Sequence, residues 1–359
     1  MPDELSRPQA MRAPSTIAVA ALLALAVAAV PARADPVGDF YHGRTISVLI
    51  GAAAGGGTDL AGRLMARYLG KYLPGNPSLV PQNMQGAGGI TETNYIANSA
   101  PRDGTVIGIL VRGVIQAPML HDPTARYDPL KLTWIGTISS SNQDAYLLVV
   151  RGDRGVRTIA DMRRAGPPVV LGSSGGNSTD LVFAALSPAL FGFNSKLIMG
   201  YPGSTGVTLA LRRKEIDGLY STLQSLLVTG MLDTGELVPV MQAARTTRHP
   251  KFSDVPLARE LVTRPEDKAL LAFIESLFRV ALPFAGPPGV PLDRAQALRR
   301  GFMQAAADPA LIADAAKLGI DVSPLDGAAV ADTVATMKNT PDSVIEHYRK
   351  IVFPEMKAP

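Results

Sequence analysis

Residues 45–59 read TISVLIGAAAGGGTD. The apolar, β-branched run from Thr45 to Ile50 breaks at Gly51 into a turn of small residues, Ala54, Gly55, Gly56 and Gly57, and an amphipathic helical pattern opens at Thr58 and Asp59. A strand feeding a helix through bare backbone amides is an anion seat, because the first N–H groups of a helix lack partners and its dipole points the same way. The stretch therefore predicts an α/β unit that captures a negative group. Just beyond it, Leu60, Leu64, Tyr68 and Tyr72, with Ala61, Met65 and Leu69 beside them, recur at helical spacing and form a core-facing stripe.

The alternation continues along the chain. Short apolar runs at 79–83, 106–110, 135–138, 146–150, 169–171, 197–199, 216–219, 237–241 and 280–284 read as strands separated by helical segments, which predicts an α/β architecture with mostly parallel strands. Thr158 is placed to cap IADMRRA, and Ser178 or Thr179 to cap DLVFAAL, each with an early acidic residue that suits the helix dipole. From Arg245 to Pro256 the texture changes to the polar, proline-marked RTTRHPKFSDVP, a connection between domains. The remaining third is nearly all helical in pattern and is expected to pack back on the first domain.

Before the first strand lies an export signal. Arg7 and Arg12 form a positive n-region, Ile17–Val30 is an unbroken apolar stretch too short to span a bilayer, and Ala32-Arg33-Ala34 is a small-x-small cleavage site. Cleavage after Ala34 and a periplasmic mature protein are expected. With no cysteine, the chain has no disulfide, thiolate metal ligand or cysteine nucleophile. Its 35 Lys and Arg are interspersed with 31 Asp and Glu, and it has one tryptophan, so neither a phosphate-tracking stripe nor a base-stacking platform is present and nucleic acid is not an expected partner. Four scattered histidines argue against a metal site, and no cofactor is expected.

Three turns carry chemistry, the first of them the opening one. Gly51, Gly56 and Thr58 sit at the spacing of a phosphate-binding loop, but Gly57 stands where that signature has lysine, which removes the main partner of a polyphosphate. A second glycine turn, Gly86-Ala87-Gly88-Gly89, again follows a strand and opens a helix. A third, Ser173-Ser174-Gly175-Gly176-Asn177-Ser178, crowds hydroxyls and an amide between a strand and a helix, the makings of a polar ligand site. The same turn contains Gly172-x-Ser174-x-Gly176, the pattern of a hydrolase nucleophile elbow, and only His249 and His347 lie downstream as bases. Arg112, at the carboxyl end of the strand at 106–110 and flanked by Gly108 and Gly113, is placed to turn a guanidinium onto a carboxylate; the competing reading is a solvated strand-end arginine.

Taken together, FYHGRTISVLIGAAAGGGTDLAGRLMARYLG, QNMQGAGGITETNYIANSAPRDGTVIG, LGSSGGNST and GYPGSTGVTLALRRKEIDG resemble the Bug-type periplasmic receptors of tripartite tricarboxylate transporters, in order and over essentially the whole mature chain. The resemblance implies a type 2 periplasmic-binding-protein fold, with residues 35–140 and 250–359 forming one domain and 141–249 the other. It implies a small organic acid clamped between them and delivered by a monomeric receptor to membrane permease subunits. It carries the first-domain site onto Ala54–Asp59 and Gly86–Gly88, and the second-domain site onto Ser173, Ser174, Gly175, Asn177, Ser178, Tyr201, Gly203 and Asp217. Two departures stand where the ligand should be: Asp180 where many relatives have histidine, and Val111-Arg112-Gly113 in place of small polar residues. The expected protein is a non-enzymatic solute receptor; a periplasmic serine hydrolase using Ser174 and a ligand-binding partner of a sensor kinase are the alternatives.

Overall fold

The computed structural model describes residues 35–141, 144–164, 166–174 and 178–356. The leader and its cleavage site, Gly175, Gly176 and Asn177 of the third turn, and the end of the crossing at 139–143 lie outside the described residues. Eleven strands form two sheets among those residues. The first contains β1 (Thr45–Ile50), β2 (Ser78–Asn83), β3 (Val106–Ile109), β4 (Thr133–Thr137), β10 (Pro283–Gly286) and β11 (Leu325–Asp326), in the order β11-β4-β10-β3-β1-β2. The second contains β5 (Tyr146–Arg151), β6 (Val169–Gly172), β7 (Ser195–Ile198), β8 (Gly218–Thr222) and β9 (Leu237–Ala243), in the order β7-β6-β8-β5-β9.

The sheets are mixed, which corrects the expectation of mostly parallel strands. β1 runs parallel to β2 and β3, and β6 to β7 and β8, as helical crossovers require. β10 is antiparallel to β3 and β4, β11 to β4, and β5 to β8 and β9. The chain passes from one sheet to the other between β4 and β5 and returns between β9 and β10, so the strand that opens each return is freed from the right-handed crossover rule and enters reversed. β8 and β10 also start later than the apolar runs that announce them, because Ile216 and the Ser276–Val280 turn of 3-10 helix are spent on packing before the ladder begins.

β1 is covered on both faces, as a parallel central strand should be. Ile46, Val48 and Ile50 are buried with Leu64, Met65 and Leu69 of the helix Gly57–Leu69, whereas Leu49 packs on the opposite side with Ile96 and Ala97 of the helix Ile90–Asn98. Of the predicted stripe, Ala61, Leu64, Met65 and Leu69 are buried, while Leu60, Tyr68 and Tyr72 are half-buried at its edge, Tyr72 in the 3-10 turn that follows the helix. Thr158 caps Ile159–Met162 as read, in a full capping box with Asp161. The helices Leu292–Ala306, Pro309–Lys317 and Gly327–Lys338 lie against β4 or the helix Gly57–Leu69, while the last helix, Asp342–Met356, lies against Pro265–Glu275 and Thr179–Phe191. One apolar cluster accordingly runs from Trp134 in the first sheet through Phe278 to Tyr146, Leu148 and Leu171 in the second.

Glu92 is the anomaly of this core. It projects from the helix Ile90–Asn98 behind Gly51 and Gly108, neither of which has room for a Cβ, and both of its carboxyl oxygens are buried without a partner among the described residues. Desolvation pushes its pKa well above the usual carboxylate range. The unfolded chain ionises Glu92 at lower pH than the folded one, so its stability is full below the unfolded pKa and drains away as pH rises towards the folded value. Replacement of Glu92 by methionine should stabilise the protein by about 1–3 kcal/mol, the scale of one unsatisfied buried polar group, with a larger gain at pH 8 than at pH 5. Urea unfolding at the two pH values checks this; a gain independent of pH would show that the carboxyl is not the cause.

Candidate functional site

The carboxyl ends of strands from both sheets open onto one cavity of about 430 Å³. Gly56, Gly57 and Thr58 line it from the turn after β1, Gly86 and Gly88 from the turn after β2, and Ser174 and Ser178 from the turn after β6. Tyr201 and Gly203 line it at the start of the helix Gly203–Arg212. Each turn ends on a helix N-terminus, where backbone N–H groups have no intrahelical partner and the dipole is positive, so the cavity is ringed by anion-seeking backbone from both sheets. At Gly86 the backbone has φ 147°, and at Gly89 φ 94° with Val111 pressed against the missing side chain, which is why that turn is built of glycine.

Asp59 braces the first turn and does not reach the cavity. Its carboxylate accepts the Gly55 N–H (2.9 Å), the Arg63 guanidinium (2.9 and 3.0 Å) and the Asn83 amide (2.8 Å). Burial alone would raise its pKa, but the bonds from Arg63, Gly55 and Asn83 outweigh this and hold it below the usual range. Asp217 is also elsewhere: it accepts the Val170 N–H at 3.0 Å and faces Arg151 and Arg154, tying β8 to its neighbour. Ala54, Gly55, Ala87 and Ser173 shape the turns without lining the cavity, and Ser173 donates its N–H to the Ile198 carbonyl. Across the cleft, the Thr205 hydroxyl donates to the Gly55 carbonyl at 3.2 Å, linking the two sheets' turns.

Arg112 does enter the cavity. A turn of 3-10 helix, Arg112–Ile115, follows β3 and swings the guanidinium over Phe278, 4.6 Å from the ring centroid. Its Nη1 is buried with no hydrogen-bond partner among the described residues. Desolvation pulls its pKa down while Tyr146, Asp144 and Asp180 act the other way, and a guanidinium stays charged under such a balance. This is an unspent charged donor.

Ser174 is bound to an acid, and among the described residues no histidine lines the cavity beside it. Its N–H donates to Asp180 at 2.8 Å and its hydroxyl donates to the same carboxylate at 3.0 Å. His249 accepts the Lys251 N–H through Nδ1, His347 pairs with Asp267 through Nε2 at 2.9 Å, and neither lines the cavity. The arrangement therefore lacks the histidine that a nucleophile elbow needs.

Several lining residues have no local sequence signal. Ser139, Ser141 and Asp144 come from the crossing between the sheets, Tyr146 from β5, Thr222 from the end of β8, Ser225 from the first turn of the helix Leu223–Thr229, and Asp321 from the loop before β11. They meet only because the crossings run past the cavity floor. Asp144 is nearly inaccessible, and burial pushes its pKa up to about 6; its N–H donors from Ala145 and Gln224 and the charge of Arg112 offset this only in part, while Asp321 adds to it.

The sequence profile described as the tripartite tricarboxylate transporter family receptor matches residues 63–349, most of the chain. The protein belongs to that family. The receptor is similar to a UPF0065 protein in the gbd 5′ region of Cupriavidus necator, 27% identical over 267 residues that cover 67% of this chain and 71% of that one. Its fold matches the periplasmic binding protein BugD with a TM-score of 0.67 at 22% identity, over 87% of this chain and 98% of that one. It also matches MatC of Rhodopseudomonas palustris, solved with bound malate, with a TM-score of 0.65 at 20% identity, over 86% of this chain and 99% of that one. These likenesses establish a two-domain binding-protein fold for the receptor. Among the described residues no helix is long and apolar enough to cross a membrane.

Replacement of Asp144 by asparagine tests the electrostatics of the cavity floor in the ligand-free receptor. With the folded pKa near 6 and the unfolded value at 3.8, the carboxyl's contribution is full below 3.8 and is lost as pH rises through 6. The variant should be more stable than the parent by on the order of 3 kcal/mol at pH 8, about two pKa units at 1.36 kcal/mol each, and no more stable near pH 4. Thermal unfolding across that range checks it.

Proposed function

We propose that this receptor captures a small carboxylate-bearing solute in the cavity between its two sheets and delivers it to the permease subunits of a tripartite tricarboxylate-type transporter. The observation that carries the reading is the Arg112 Nη1, buried without a partner among the described residues in a cavity onto which several helix N-termini open. A carboxylate supplies what both lack: an acceptor for the free guanidinium donors, and a negative charge at the positive ends of several helices. That MatC was solved with malate is in keeping with this chemistry. The glycine and serine turns, Ala54–Asp59, Gly86–Gly88, Ser173–Ser178, Tyr201 and Gly203, belong to the site in this reading, some as its wall and others, such as Asp59, as its brace.

The same proposal includes export, with cleavage after Ala34, and action as a monomer in the periplasm. Residues 35–140 with 250–359, and residues 141–249, form the two moving bodies, hinged near 139–143 and 244–250. Closure over the solute is the event a permease can recognise, and the Thr205–Gly55 bond is one contact that a closed cleft keeps.

Thermal-shift screening of the mature protein against organic acids of graded length, malate included, tests the capture step. A true ligand at a hundred times its dissociation constant should stabilise by about 2.7 kcal/mol. Arg112→Lys should then weaken binding tenfold or more, about 1.4 kcal/mol, despite the preserved charge, because the planar fork is lost. Unchanged affinity in both Arg112→Lys and Arg112→Ala would remove the residue from the site. Small-angle scattering with and without a saturating ligand tests closure; identical dimensions would contradict it.

A further inference from the structure

The charges of the cavity do not balance for a ligand that is only an acid. Arg112 is the one lysine or arginine lining it among the described residues, whereas three carboxylates, Asp144, Asp180 and Asp321, line it too. Asp321 is occupied by the hydroxyls of Ser139 and Ser323, and Asp180 by Ser174. Both hydroxyls reach the same Asp321 oxygen, so Asp321 and Asp144 each keep one oxygen without a donor among the described residues, and Asp144 is the one coupled to the charge of Arg112. Asp144 is 5% exposed, its Oδ1 accepts the N–H groups of Ala145 (2.8 Å) and Gln224 (3.2 Å), and no donor among the described residues reaches its Oδ2. Arg112 does not neutralise it, since the Nη1 of the guanidinium is left without a partner although its charge is felt at both Asp144 and Asp180.

A dicarboxylate placed on Arg112 would bring its second negative group towards these acids, and like charges repel. A solute with a carboxylate at one end and a protonated amine a few bonds away meets opposite charge at both ends. Resting on the solute-binding reading, we infer that the receptor's ligand class is the aminocarboxylates, with Arg112 and the helix N-termini holding the carboxylate and Asp144, flanked by Asp180, accepting the ammonium. Among the described residues no group of three or more histidine, aspartate or glutamate side chains is arranged to hold a metal ion, so the acids are assigned to an ammonium.

Matched pairs that differ in the amino group test the inference: L-aspartate against succinate and L-glutamate against glutarate, titrated calorimetrically into the mature receptor with EDTA present to exclude metal-bound acids. The amino member of at least one pair should bind about tenfold or more tightly than its partner, one well-placed charge-assisted contact. Asp144→Asn and Asp180→Asn should each shrink that ratio, through weaker amino-acid binding together with stronger binding of the plain diacid. The wild-type comparison needs no variant to fold. Equal or tighter binding of succinate or glutarate by the wild type would overturn the inference and leave the carboxylate receptor standing, as would a ratio that neither substitution changes. Binding of none of the four acids would count against both.

Discussion

The site depends first on the buried carboxylate of Asp59. A turn made of Gly55, Gly56 and Gly57 has no side chains to hold it, and the entropy of so much glycine opposes any single conformation. Asp59 supplies the missing restraint by taking the Gly55 N–H, the Arg63 guanidinium and the Asn83 amide at once. Asn83 also donates to the Ala52 carbonyl, so the end of β1, the end of β2 and the start of the helix are locked as one piece. Because the brace uses one side chain turned away from the cavity, the amides on the other side stay free for a ligand.

A second constraint is set by the crossings. Ser139, Asp144 and Asp321 reach the cavity because the chain leaves the first sheet after β4 and a later loop, before β11, returns beside it. The same passage reverses β5 and β10, so the mixed sheets and the acidic floor have one cause. A fold in which the two lobes were simply strung in sequence would lack Ser139, Asp144 and Asp321 at its cavity.

Local features were legible in proportion to how local their physics is. The capping box at Thr158, the amphipathic stripe from Leu60 to Tyr72 and the strand-to-glycine breaks at Gly51 and Gly86 are settled by residues within a few positions of one another. Asp217 marks where that locality ends: the family resemblance carries a site role onto it, whereas Val170, Arg151 and Arg154, none of them in its own local segment, hold its carboxylate at the sheet. Asp59 illustrates it differently, since its place beside the glycine turn was readable and its direction was not.

By itself the sequence determined that strands would feed helices through bare, glycine-rich backbone, and hence that the protein would present unpartnered N–H groups at strand ends; helix dipoles and backbone valence leave no other outcome. Only the tertiary structure decided which of those ends face one another, which acids share the space with them and that Arg112 would be left with a free donor. Those are matters of long-range packing, in which Phe278, far along the chain, sets the guanidinium's resting place and Ser323 donates a hydrogen bond to Asp321. No periodicity within a window of the chain encodes them.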